Sequence, residues 1–162
     1  MENEKLFKQL DYNGQWIHNA DVKLSIILTF IGVFNGFILT GNEPSIKTSE
    51  EMSVSEYLNT FIIVFYLLCL ITGFLFSVKG ITAKVNNPHP GLWFFGDVAK
   101  YDQWHYFHKI KKNQSEEQFE EDLMKQIHLT SKIALKKFLY LNKAIIFTTI
   151  ALILFFVEHI LF

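Results

Sequence analysis

Arginine is absent from this 162-residue chain, and all 15 of its basic side chains are lysine. A phosphate group would therefore meet ammonium point charges, with no bidentate guanidinium fork available. Charge of either sign is scarce, at 19% of residues against roughly 25% in soluble domains. The 15 basic and 16 acidic residues leave a net charge of −1, and no basic excess of the kind that goes with nucleic-acid binding. Cysteine occurs once, as Cys69, which excludes a disulfide scaffold and reads as a small packing residue in an apolar run. Also missing are H-E-x-x-H, C-x-x-C, a P-loop, G-x-G-x-x-G and any Ser/His/Asp order. The sequence thus offers no cofactor site and no nucleophile, and an enzyme is not expected. His105 and His108 share a predicted helix as a metal-like pair, yet no third ligand accompanies them. The run of Glu116, Glu117, Glu120, Glu121 and Asp122 reads as a solvated helix start.

Apolar residues supply half of the chain, aromatics 16%, and phenylalanine alone accounts for 17 positions, with a mean hydropathy of +0.20. Three runs carry no charge: 24–42, 57–78 and 144–157. A hydrocarbon core of roughly 30 Å needs about 20 apolar residues. The first two runs meet that length; the third is shorter, and Ile160, Leu161 and Phe162 extend it past Glu158 and His159. The alternative for the third run is a buried or interfacial helix of a two-span protein. The first run follows a polar leader and precedes no A-x-A site, so it reads as a retained span.

These features predict an all-α integral membrane protein with three spans and a cytosolic helical hairpin between the second and third. In residue numbers, 1–23 form an amphipathic N-terminal helix, 24–42 the first span and 43–56 an external loop. Residues 57–78 form the second span, 79–142 a cytosolic helical region and 143–162 the third span. Ten lysines lie between Lys79 and Asn142, whereas the loop 41–57 holds Lys47 against Glu43, Glu50, Glu51 and Glu56. The positive-inside rule then puts 79–142 and the N-terminus in the cytoplasm.

Local signals refine the picture. Trp16, Ile17 and Ala20 share a side of the leader, with Trp16 suited to the interface. Asn86 to Gly91 is a breaker cluster, Asp97 a plausible N-cap for a helix to about Ile110, and 111–114 a turn. Ser115-Glu116-Glu117-Gln118 is a capping-box signature, and Phe119, Leu123, Ile127, Ala134, Phe138 and Leu141 keep one face apolar behind it. No Gly or Pro interrupts Ser115 to Phe162, so one helix of roughly 70 Å can run from cytosol through membrane.

Within the spans, Ser25, Thr29, Gly32, Gly36 and Thr40 align at helical spacing and include a GxxxG. Cys69, Gly73, Ser77 and Gly80 make a second such stripe. Small residues let helices approach closely, which serves either packing between spans or contact between subunits. Asn35, inside the first span, requires a partner or a wet cavity. Asn19, Asp21 and Lys23 form a polar mouth below it.

Three blocks carry a family likeness. Trp16-Ile17-His18-Asn19-Ala20-Asp21-Val22-Lys23-Leu24-Ser25 resembles the I-x-x-A-D-x-K-x-S opening of the Pycsar transmembrane effector domain. Trp93-Phe94-Phe95-Gly96-Asp97-Val98 is similar to the aromatic-Phe-Gly-Asp entry of that family into its cytosolic helices. Asp122-Leu123, Gln126-Ile127-His128, Ser131, Ile133-Ala134 and Lys137 resemble its approach to the last span. The resemblance implies a bacterial antiphage effector of the inner membrane. A partner cyclase would supply a cyclic nucleotide, a cyclic pyrimidine mononucleotide in the Pycsar branch, and the effector would impair the membrane as a homo-oligomer within the lipid bilayer. A base and a phosphate call for aromatic faces beside cations, and Trp93, Phe95, Tyr101 and Trp104 with Lys100, Lys132 and Lys136 supply both. Core packing of a cytosolic bundle is the competing reading of those aromatics. A small channel or transporter, or a structural membrane subunit without a nucleotide ligand, remains the alternative function.

Overall fold

The computed structural model describes residues 2–40, 53–84, 99, 101–106, 108 and 114–161. Of these 93% are helical and none lies in a strand. Three helices dominate: α1 (Glu2–Thr40), α2 (Val54–Ile81) and α3 (Glu116–Leu161). All three are long and apolar enough to cross a membrane. Residues 41–52 of the acidic loop, the breaker cluster 86–91 and Asp97 fall outside the described residues; between them and α3 a short helical stretch covers 103–106.

Capping fixes where two of these helices begin. Ser53 is extended (φ −69°, ψ 158°) and its hydroxyl accepts from the Glu56 N–H, while the Glu56 carboxylate accepts from the Ser53 N–H at 2.9 Å. At α3 the capping box read from the sequence is present. The Gln118 N–H donates to Ser115 Oγ and the Ser115 N–H to Gln118 Oε1, both at 3.2 Å. Each reciprocal pair satisfies two backbone donors that a helix start leaves unpaired.

The chain divides into two compact units. The first joins Met1–Asn19 to Ala83–Lys136, and the second joins Ala20–Thr82 to Lys137–Phe162. In the first unit Phe7 packs on Phe119 with ring centroids 5.9 Å apart, and Leu123, Leu129 and Ala134 are buried. Asn13 is buried there too, its amide nitrogen donating to the Ile127 carbonyl, Thr130 Oγ1 and Ser131 Oγ at 2.8–3.0 Å. Both hydroxyls donate back to carbonyls of α3, which turns their lone pairs toward Asn13.

In the second unit the buried residues of α2 and α3 recur every three or four positions. On α2 they are Ile63, Tyr66, Leu70, Gly73, Ser77 and Gly80, with Cys69 buried beside Leu70; on α3 they are Lys137, Leu141, Ala144, Thr148 and Ala151. That spacing makes the narrow seam of closely packed helices. Ile31, Ile63, Tyr66, Cys69, Leu70 and Ala151 form one core layer, and Leu24, Leu141 and Ala144 a second. Large apolar side chains such as Phe61, Phe65, Leu68, Ile146, Ile153 and Phe156 point outward. Outward apolar side chains on this scale suit a bundle whose solvent is lipid.

Candidate functional site

Lys137 occupies a position where the sequence pattern asks for an apolar residue. It lies one turn from Ala134 and one from Leu141, and it is 5% exposed. A buried ammonium is costly unless all of its protons are engaged. Here its three protons have three acceptors: the Asp21 carboxylate from α1, the Gly80 carbonyl at 3.3 Å and the Ile81 carbonyl at 3.0 Å. The two carbonyls belong to the last turn of α2, which carries the negative end of the helix dipole. One lysine from α3 thereby ties the end of α2 to the only acidic residue of the polar mouth.

Glycine makes this convergence of helices sterically feasible. A Cβ added at Gly80 would lie 2.7 Å from Leu24 Cδ1 and 3.2 Å from the Tyr140 Cβ. Two turns earlier, a Cβ at Gly73 would lie 2.8 Å from Thr148 Oγ1. Gly73, read as a helix-packing or oligomer residue, thus packs inside the unit against α3, along with Cys69, Ser77 and Gly80.

The first stripe is placed differently. Ser25, Thr29, Gly32 and Gly36 are exposed, and among the described residues a Cβ added at Gly32 or Gly36 meets nothing within 4 Å. Thr29 turns its hydroxyl back onto the Ser25 carbonyl at 2.9 Å, so it presents a smooth, hydrogen-bonded surface. Asn35 lines an open apolar recess of about 110 Å³ with Ile31, Leu67, Leu70, Ile71 and Phe74. No described residue hydrogen-bonds its amide.

Of the polar mouth, Asp21 enters the lysine node, while Asn19 and Lys23 are exposed. Of the residues assigned to nucleotide contact, Trp93, Phe95 and Lys100 lie outside the described residues. Tyr101 packs near Tyr106, and the exposed Trp104 sets its ring edge-on to His108 at 4.5 Å. Lys132 and Lys136 are exposed on α3, with the Lys136 ammonium donating to the Lys84 carbonyl at 3.0 Å. No metal-binding group of three or more ligands occurs among the described residues, His105 and His108 included.

The residue that the sequence reading passed over as a site is Lys137, although it closes the third of the quoted motif blocks. Its signal was visible: a lysine on an apolar helix face needs a carboxylate, and Asp21 is isolated at the edge of the first span.

Residues 5–162 match the Pycsar effector protein domain family. The chain belongs to that family. The match takes in all but the first few residues, and with them Asp21, Gly80 and Lys137 together. No curated protein and no solved structure matches the chain. As a Pycsar effector it is an antiphage effector in a membrane, in a family that implies a cyclic nucleotide signal from a cyclase. The family is one of membrane effectors and not of known enzymes.

Proposed function

We propose that this Pycsar effector senses a cyclic nucleotide through its cytosolic helices and damages the bacterial inner membrane by assembling through its first span. The observation that carries this reading is the outward small-residue face of α1. Glycine within a helix costs roughly 0.5–1 kcal/mol relative to alanine, and among the described residues nothing stands within 4 Å of a Cβ added at Gly32 or Gly36. Close approach of a second α1 gives both a reason to be glycine. The Asn35 amide supports the same contact, since an amide at membrane depth is stabilised by a partner across an interface. Ile31, Ile63, Tyr66 and Leu70 are packed in one buried layer among the three helices, which favours damage through contact between copies.

For the ligand, the exposed Trp104 with Tyr101, and the lysines Lys132 and Lys136, favour the set proposed with Trp93, Phe95 and Lys100. The lysine excess of 79–142 supports a cytosolic location for that set and for the N-terminus. The test is dye release from vesicles that hold the purified protein, with and without cyclic pyrimidine mononucleotides. Release that depends on nucleotide is expected. Release without any nucleotide would favour a small channel, and no release under either condition would favour a structural subunit.

A further inference from the structure

The outer side of the α2–α3 contact carries two lysines, Lys79 and Lys143, with no acidic partner among the described residues. On α2, Phe76 packs against both Tyr140 and Phe147 of α3, with ring centroids 6.3 and 5.6 Å away and interplanar angles of 29° and 24°. The Lys143 ammonium sits 5.4 Å from the centre of the Phe76 ring. Tyr140, Lys143 and Phe147 are three and four positions apart and share one side of α3. Lys79 follows Phe76 by three positions and shares its side of α2 in the same way. Both lysines are exposed, and among the described residues neither meets a carboxylate. Asp21, the acid at this end of the unit, is occupied by Lys137.

Depth adds an independent constraint. The charge-free run of α2 ends at Val78 and that of α3 begins at Ala144. The contact between Phe76 and Lys143 brings these two boundaries to one level. Lys79 and Lys143 are therefore the first charges outside the hydrocarbon on two adjacent helices. At that level the abundant anion is the phosphodiester of a lipid headgroup, and Phe76 and Phe147, on the hydrocarbon side of Lys79 and Lys143 respectively, offer an apolar wall for its acyl chain.

We propose that Lys79 and Lys143, set over the Phe76–Phe147 pair, bind the headgroup phosphate of an anionic phospholipid. The test uses the full-length protein reconstituted in vesicles of equal phosphatidylglycerol and phosphatidylcholine, extracted gently, with retained lipid counted by native mass spectrometry. Wild type is expected to retain phosphatidylglycerol selectively. The double variant Lys79→Gln/Lys143→Gln should retain about tenfold less or lower still, as expected for losing two cations at an anionic surface. Phe76→Leu should weaken retention while keeping both charges. Lys23→Gln, an exposed lysine on α1, should leave it unchanged. Retention by the double variant equal to wild type would overturn the proposal, as would an equal fall in Lys23→Gln. Displacement of the lipid by millimolar inorganic phosphate would overturn it too, because it would identify a site for small anions. Circular dichroism of each variant shows that the helices persist, so a loss of lipid cannot be assigned to unfolding.

Discussion

A lysine that is 5% exposed and bonded to one carboxylate and two carbonyls gives its partners unequal importance. Asp21→Asn removes the neutralising charge and leaves the ammonium buried, which for a fully buried pair costs about 3–5 kcal/mol. Asp21 is itself 38% exposed, so the expected loss lies at or below the bottom of that range. Lys137→Met should cost less, because Asp21 then turns to water and only two helix-end carbonyls lose a donor. The combination Asp21→Asn/Lys137→Met should recover part of the stability lost in Asp21→Asn alone. Thermal unfolding of the three variants in one detergent checks this; strict additivity would mean that the two residues are not energetically coupled. The sequence exposed both halves of this pair without joining them. Linear spacing says that Lys137 lies on the apolar side of its helix, but not which neighbouring helix faces it.

At the scale of helices, the two small-residue stripes make opposite predictions. Gly32→Leu and Gly36→Leu add side chains into open space, so stability should change by no more than about 0.5 kcal/mol. What they should remove is self-association, measured by crosslinking in membranes, and with it dye release. Gly73→Leu forces atoms into Thr148, and Gly80→Leu into Leu24 and Tyr140; overpacking of this kind costs typically 1–3 kcal/mol or more. These two should therefore lower the unfolding midpoint. Crosslinked species that persist in Gly32→Leu and Gly36→Leu would remove α1 from the subunit contact. In sequence both stripes read alike, because a GxxxG pattern records close approach and not the identity of what approaches. The helices themselves were legible: charge-free length gave the spans, and Ser115 with Gln118 gave the start of α3. Asn13 was not legible, since an asparagine in a polar leader gives no hint that three acceptors on α3 await it.

Across the whole molecule, α1 and α3 each supply residues to both compact units, the change falling between Asn19 and Ala20 and between Lys136 and Lys137. Neither point carries a Gly or a Pro; each lies a few residues before the charge falls away, after Lys23 on α1 and after Lys143 on α3. The absence of any breaker has a mechanical consequence, because α3 passes unbroken from Glu116 to Leu161. If nucleotide is held on the side of Lys132 and Lys136 and damage is done by the spans, that helix is the covalent path between them. Proline at Ile133 would delete the hydrogen bond to the Leu129 carbonyl and clash with the preceding turn, about 3 kcal/mol or more concentrated at one place. Ile133→Ala keeps the helix and trims a half-buried side chain, a smaller loss confined to packing. Ile133→Pro should therefore still bind nucleotide while failing to release dye, and Ile133→Ala should do both. Affinity and dye release measured on the same two preparations separate the cases. If Ile133→Pro releases dye as wild type does, continuity of α3 is not what carries the signal. If it binds no nucleotide, the ligand site extends across the kink, toward the Asn13 contacts with Thr130 and Ser131.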